Sequence, residues 1–178
     1  MKNWFLKLSV GSKIAAVGVV SAIPISILAT FMIVSLIRDQ VEFGRKEIQG
    51  NEFLQPLVTL QNQLWEHRSL VRRQAAGDVT VADRLEKVGR DLDAAASRLA
   101  EVDGRLGAAL QFGPADLAKF HREAAQPTRL ISLVKGLRSS ATGSSATENA
   151  GAYDRLHEAL RLAIVHAGDK SNLILDPD

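Results

Sequence analysis

Residues 81–109 read VADRLEKVGRDLDAAASRLAEVDGRLGAA, and in them Val81, Leu85, Val88, Leu92, Ala95, Leu99, Val102, Leu106 and Ala109 recur at alternating intervals of four and three. Side chains at those intervals stack on one face of an α-helix. The repeat is sustained, as expected of a helix in a bundle or coiled coil. Gly77-Asp78 is a turn signal in front of it, and Gly113-Pro114 is expected to end it. Upstream the same rhythm runs through Phe53, Leu57, Leu60, Leu64, His67 and Val71. That segment is expected to continue from the apolar stretch before it as one long helix. A bend is expected near Gly50 and Pro56, because proline removes a backbone donor.

Downstream, a third helix is expected to start with Pro114 at its first position and Asp116 in its first turn. It would carry Leu117, Phe120, Leu130, Ile131 and Val134, with a kink or break at Pro127. The run Ser139-Ser140-Ala141-Thr142-Gly143-Ser144-Ser145 reads as a flexible loop. A fourth helix would carry Tyr153, Leu156, Leu160, Ala163, Ile164 and Ala167 and fray before Asp176-Pro177-Asp178. Ala, Leu, Arg, Glu and Gln dominate, and strand-like alternation is scarce. The fold class expected is all-α: one transmembrane helix, then an up-down domain resembling a four-helix bundle.

The apolar stretch is residues 14–37, IAAVGVVSAIPISILATFMIVSLI, which are 24 residues without a charge. At ~1.5 Å per residue such a helix spans roughly 36 Å, enough for a hydrocarbon core of ~30 Å. Ser21, Ser26 and Thr30 can bond back to their own helix, and Pro24 is tolerated in membrane helices. A cleaved signal peptide would have a shorter apolar run and a small-residue cleavage site, which SLIRDQ does not resemble. Lys2, Lys7 and Lys13 are the only charged side chains before Arg38. The positive-inside rule then places residues 1–13 in the cytoplasm, 14–37 in a bacterial inner membrane and 38–178 in the periplasm. Trp4 and Phe5 fall where aromatic rings anchor at the headgroups. LRLAIVHAG, residues 160–168, is too short to span.

Taking those three lysines from the 22 basic residues leaves 19 against 20 acidic ones, a net charge of −1 after the span. A nearly neutral domain carries no electrostatic footprint for nucleic acid. Cysteine is absent, so there is no disulfide framework or thiol metal site. His67, His121, His157 and His166 lack metal-ligand spacing. No phosphate-cradling loop, nucleophile elbow or HExxH motif occurs. The residues point to no enzyme and to no cofactor or metal.

Three stretches carry a family resemblance. Residues 46–57, KEIQGNEFLQPL, look like the K-E-x-x-G-x-x-[FY]-L-x-P-L entry to the first periplasmic helix of bacterial methyl-accepting chemotaxis proteins. Leu64-Trp65-Glu66-His67-Arg68, with Gly77-Asp78 after it, is similar to that family's L-x-x-H-R-G segment ending in G-D. Residues 171–178, SNLILDPD, are very like its S-N-L-x-L-D-P-D. The resemblance implies the anchoring and sensory part of a chemosensory receptor, a homodimer in the lipid bilayer that binds a small periplasmic ligand. In such receptors more sensor helices, a second span, a HAMP linker and a cytoplasmic signalling domain follow. This chain ends at Asp178, and it is expected to be a fragment of a longer product or a truncated one. Similar sensor regions precede histidine kinases and diguanylate cyclases. A stand-alone membrane-anchored scaffold that binds another protein is the alternative of a different class.

Four side chains are candidates for a ligand site. His67 lies on the apolar seam, where a polar group needs a buried partner or a ligand. It reads either as a hydrogen-bonded core histidine or as a ligand group. Arg68, Arg72 and Arg73 bring guanidinium groups around one turn, and arginine grips a carboxylate through paired hydrogen bonds. The resemblance implies an anionic ligand there. The competing reading is solvation, or pairing with acidic residues of the second helix. Ser69 stands where the family usually has glycine. Trp65 reads as a ligand cover or a packing residue, and Tyr153 as core.

Overall fold

The computed structural model describes residues 9–140 and 146–173, and among them every regular element is helical. Helix α1 is Val10–Ala75, α2 is Ala82–Leu106, α3 is Pro114–Lys119, α4 is Pro127–Ser140 and α5 is Ala146–Lys170. Single 3-10 turns at Val79–Val81 and Glu123–Ala125 precede α2 and α4. The chain divides into two compact units, residues 1–44 and residues 45–178.

In the first unit α1 starts where the Ser12 N–H donates to the Ser9 hydroxyl at 3.3 Å, a local cap for an orphan amide. The Thr30 hydroxyl donates to the Ser26 carbonyl at 2.8 Å, which satisfies it inside its own helix. No part of the most apolar window of α1 is buried, and Ile23, Leu28, Phe31 and Ile33 are all exposed. A helix apolar all round and uncovered needs an apolar surrounding. Among the described residues this is one helix long and apolar enough to cross a membrane.

The second unit is built on two facing seams. Phe53, Leu57, Leu60 and Leu64 of α1 and Leu92, Leu99 and Val102 of α2 share one core with Leu130 and Val134 of α4 and Leu156 and Leu160 of α5. Phe53 stacks on Phe112 with centroids 4.3 Å apart. A smaller cluster joins Leu70, Val81 and Val88 at the other end. Arg105 reaches Glu52 and Arg84 reaches Glu66, each at 2.6 Å, so α2 runs antiparallel to α1. Asp78 holds the turn between them. Its carboxylate accepts from the Thr80 N–H at 3.0 Å and from Arg73 at 2.6 Å, while Gly77 has φ +94°, open to glycine without cost.

The structure departs from the sequence reading in several places. The α2 seam stops at Leu106, where the helix ends, and Ala109 is exposed while Leu110 and Phe112 are buried. Gly113-Pro114 does not end α2; Gly113 caps α3, with Pro114 in its first turn. The expected third helix is two. His121 takes φ +53° and Gln126 is extended at ψ 124°, the conformation a following proline imposes. Pro127 then opens α4. Phe120, expected on the seam, is 42% exposed. On α1, Leu70 is buried and Val71 only half-buried. Ser139 and Ser140, expected in a loop, are the last residues of α4; the rest of that stretch, residues 141–145, and the tail 174–178 lie outside the described residues, as do Lys2, Trp4, Phe5 and Lys7.

Candidate functional site

The predicted candidates sit on the second unit's part of α1, and α5 packs against it. The seam of α1 carries His67 inward until it is 1% exposed. Its Nδ1 shares a hydrogen bond with the Tyr153 hydroxyl of α5 at 2.6 Å. A satisfied pair removes the penalty of an orphaned polar group in the core. Burial is the main reason His67 titrates at about 4, below its usual 6.5; Arg138 adds to the depression and Asp93 opposes it. The Tyr153 hydroxyl is pushed up to about 12, again by burial first, with Arg68 and Arg72 opposing. At neutral pH both groups are uncharged.

One residue on, Arg68 points along the same interface and donates to Asp154 at 2.9 Å. The arginine is 18% exposed and its partner 66%, and the guanidinium also lies over the Tyr153 ring at 5.6 Å. Trp65 meets His157 edge to face at 5.0 Å. Leu64, Trp65, Arg68, Tyr153 and His157 line a depression between α1 and α5 too tight to admit a water molecule.

The three arginines do not converge on one point. Arg73 turns to Asp78 in its own turn, and Arg72 is exposed, close enough to Tyr153 to act on it only through its field. The acidic partner of Arg68 is on α5 and not on α2. Arg68 thus has its carboxylate partner within the fold, in Asp154. His67 serves as the core link between helices.

Other polar features escaped the sequence reading. His166 is fully buried; its Nε2–H donates to the carbonyls of Leu110 and Gln111 at 3.2 and 3.0 Å. Its Nδ1 has no partner, and its ring meets Phe112 edge-on at 4.7 Å. Burial lowers its pKa most, against the two carbonyl bonds. His166 lies three positions from Ala163 on the α5 seam, a helical interval that would have flagged it. A polar groove of about 400 Å³ runs between α1 and α2, lined by Gln63, Glu66, Arg84, Lys87, Val88 and Asp91. Among the described residues no group of three or more His, Cys, Asp and Glu is placed to hold a metal ion. Comparison with protein-family models, with curated proteins and with solved structures finds no match to the chain.

Proposed function

We propose that this chain is the anchoring and sensory part of a bacterial transmembrane chemosensory receptor of the methyl-accepting type. In this reading residues 14–37 cross the inner membrane with the N-terminus in the cytoplasm. Residues 38–178 are a periplasmic up-down bundle that takes a small anionic ligand. The observation that carries the proposal is α1 itself. One helix runs from Val10 to Ala75, beginning in an uncovered apolar segment and carrying near its far end the two side chains tied to α5. A ligand that favours one α1–α5 arrangement over another shifts the equilibrium between them by its differential affinity. Shifts of packed helices by an ångström or two are a known form of such switching.

The ligand step is an exchange at Arg68. An incoming carboxylate takes the guanidinium from Asp154 and loosens one of the ties between α1 and α5, with Arg72 adding charge nearby. The proposal also needs a second copy of the chain, and α1 offers a surface for it. Ile48, Asn51, Gln55, Val58 and Asn62 are all exposed and recur at intervals of three and four, on the face away from the core. Asparagine within such a seam fixes register between paired helices.

Two measurements test the reading. A reporter fused after Asp178 is expected to be active only if it works in the periplasm; activity of a cytoplasmic reporter would contradict the topology. With the full chain in mild detergent, a panel of small carboxylates is expected to contain one that raises the melting temperature of the wild type and not of Arg68→Ala. A wild-type melting curve unmoved across the panel would remove the anion site.

A further inference from the structure

His67 and His166 are both buried, and each ties α5 to a different part of the fold. His67 holds the front of α5 to α1 through Tyr153. His166 holds the back of α5 to the carbonyls at the end of the α2 segment, Leu110 and Gln111. We infer that the two form an acid-operated latch, in which protonation of both imidazoles releases α5 from α1 and from the chain following α2.

The geometry explains why neither ring accepts a proton in place. Around His67 stand the Tyr153 hydroxyl from α5, Arg138 from α4 and Asp93 from α2, with Arg68 and Arg72 of α1 beside Tyr153. The one anion, Asp93, is shared with Arg138 at 3.3 Å. A second positive charge there would be desolvated and poorly paired, a costly state in the interior. Around His166 stand Arg122 and Lys170, both opposing a positive ring, and Asp116 of α3, which would favour one but is engaged by Lys119. Asp169 is engaged by Arg122. The Nδ1 atom that would gain the proton has no acceptor. Moving α5 outward gives both rings water.

The direction of the pH response follows from linkage. A released His67 titrates near 6.5 and the packed one near 4, so the released form binds the extra proton in between. The contribution of His67 to the packing of α5 is therefore full above pH 6.5 and is lost as pH falls through 4. For His67 alone the opening equilibrium grows about a hundredfold between pH 7 and pH 4. The latch rests on core packing and stands whether or not the chain is a receptor.

Amide hydrogen exchange on the full chain in detergent micelles, corrected for the intrinsic pH dependence of exchange, reads it. Protection across α5 should fall by about two orders of magnitude from pH 7 to pH 4, and by much less in the middle of α2. The double variant His67→Gln, His166→Gln should lose that response. Two charge variants change the size of the response in opposite directions: Arg138→Gln shrinks it, because the packed ring then accepts a proton more readily, and Asp93→Asn enlarges it. If the glutamine variants do not fold, this pair decides alone. Equal α5 protection at both pH values, an unchanged response in the double variant, or charge variants that change the response the same way would each overturn the latch.

Discussion

Gly50→Ala gives the most direct test of how α1 and the end of α5 fit together. A β-carbon at Gly50 would lie 2.1 Å from the Ser171 Cβ and 2.2 Å from its Oγ, with Leu173 Cδ1 at 3.0 Å. Carbon atoms in contact need about 3.5–4.0 Å, so the helices must part by more than an ångström. Ser171 cannot turn aside easily: it is fully buried, and its hydroxyl donates to the Ala167 carbonyl at 2.6 Å. Overpacking costs about 1–3 kcal/mol, and a clash near 2 Å with two buried atoms close to the backbone belongs in the upper part of that range, about 2–3 kcal/mol. Alanine in place of glycine inside a helix returns about 1 kcal/mol. The net expectation is a loss of about 1–2 kcal/mol, read by urea denaturation of the full chain in mild detergent with helicity as the signal. Adding Ser171→Gly to the Gly50→Ala background vacates the clashing atoms and should recover most of that loss, a coupling that independent sites do not show. If Gly50→Ala were as stable as the wild type, or if Ser171→Gly deepened the loss, the close approach of α1 and α5 at this point would be refuted.

Gly89→Ala makes an instructive contrast. Its β-carbon would meet Arg138 at 1.8 Å, but the atom struck is the tip of a flexible guanidinium. Losing the Arg138–Asp93 pair costs about 0–1 kcal/mol and the helix regains about 1 kcal/mol, so the denaturation midpoint should hardly move; a loss as large as that of Gly50→Ala would contradict this. Tyr153→Phe leaves the buried His67 nitrogen without its partner and should cost about 1–3 kcal/mol at pH 7, measured by the same denaturation; no loss would mean that the pair is not formed. Leu99→Ala empties a fully buried site on α2 and should cost about 2–5 kcal/mol, and a cost under 1 kcal/mol would place Leu99 outside the core.

The seams were legible because a heptad rhythm survives in the chain whatever the helix packs against. Phe53 to Leu64 and Leu92 to Leu106 face the core as their spacing predicts. The rhythm misled only where it was extended past a helix end. Ala109 keeps the interval, but α2 has stopped at Leu106, and the chain turns through Gln111 at φ +57° to bury Leu110 and Phe112. Phe120 fails likewise, lying just beyond α3. The break at Pro127 was visible as a proline; that α3 already stops at Lys119 was not. The site was less legible. That His67 needs a partner follows from its place on an apolar seam, but that the partner is Tyr153, 86 residues away, depends on which helices pack together. No local pattern encodes that. Arg68, Arg72 and Arg73 look equivalent in sequence and separate only when Asp154 and Asp78 are placed beside two of them.

The placement of α5 also makes sense of contacts that look unrelated one at a time. Gly50 meets Ser171, Trp65 meets His157, His67 meets Tyr153 and Arg68 meets Asp154. In every pair the two residue numbers add to between 220 and 222, the signature of two antiparallel helices held in one register without slippage. Gly50 and Ser171 meet at one end of this interface, and His67 holds the other. A close glycine contact, a buried polar pair and a charged pair thus all specify the same alignment. Sliding α5 by one turn, about 5.4 Å, would break all of them together, and no intermediate slide would satisfy any. The four contacts therefore oppose a slide of α5 together: a displacement large enough to break one of them strains the other three.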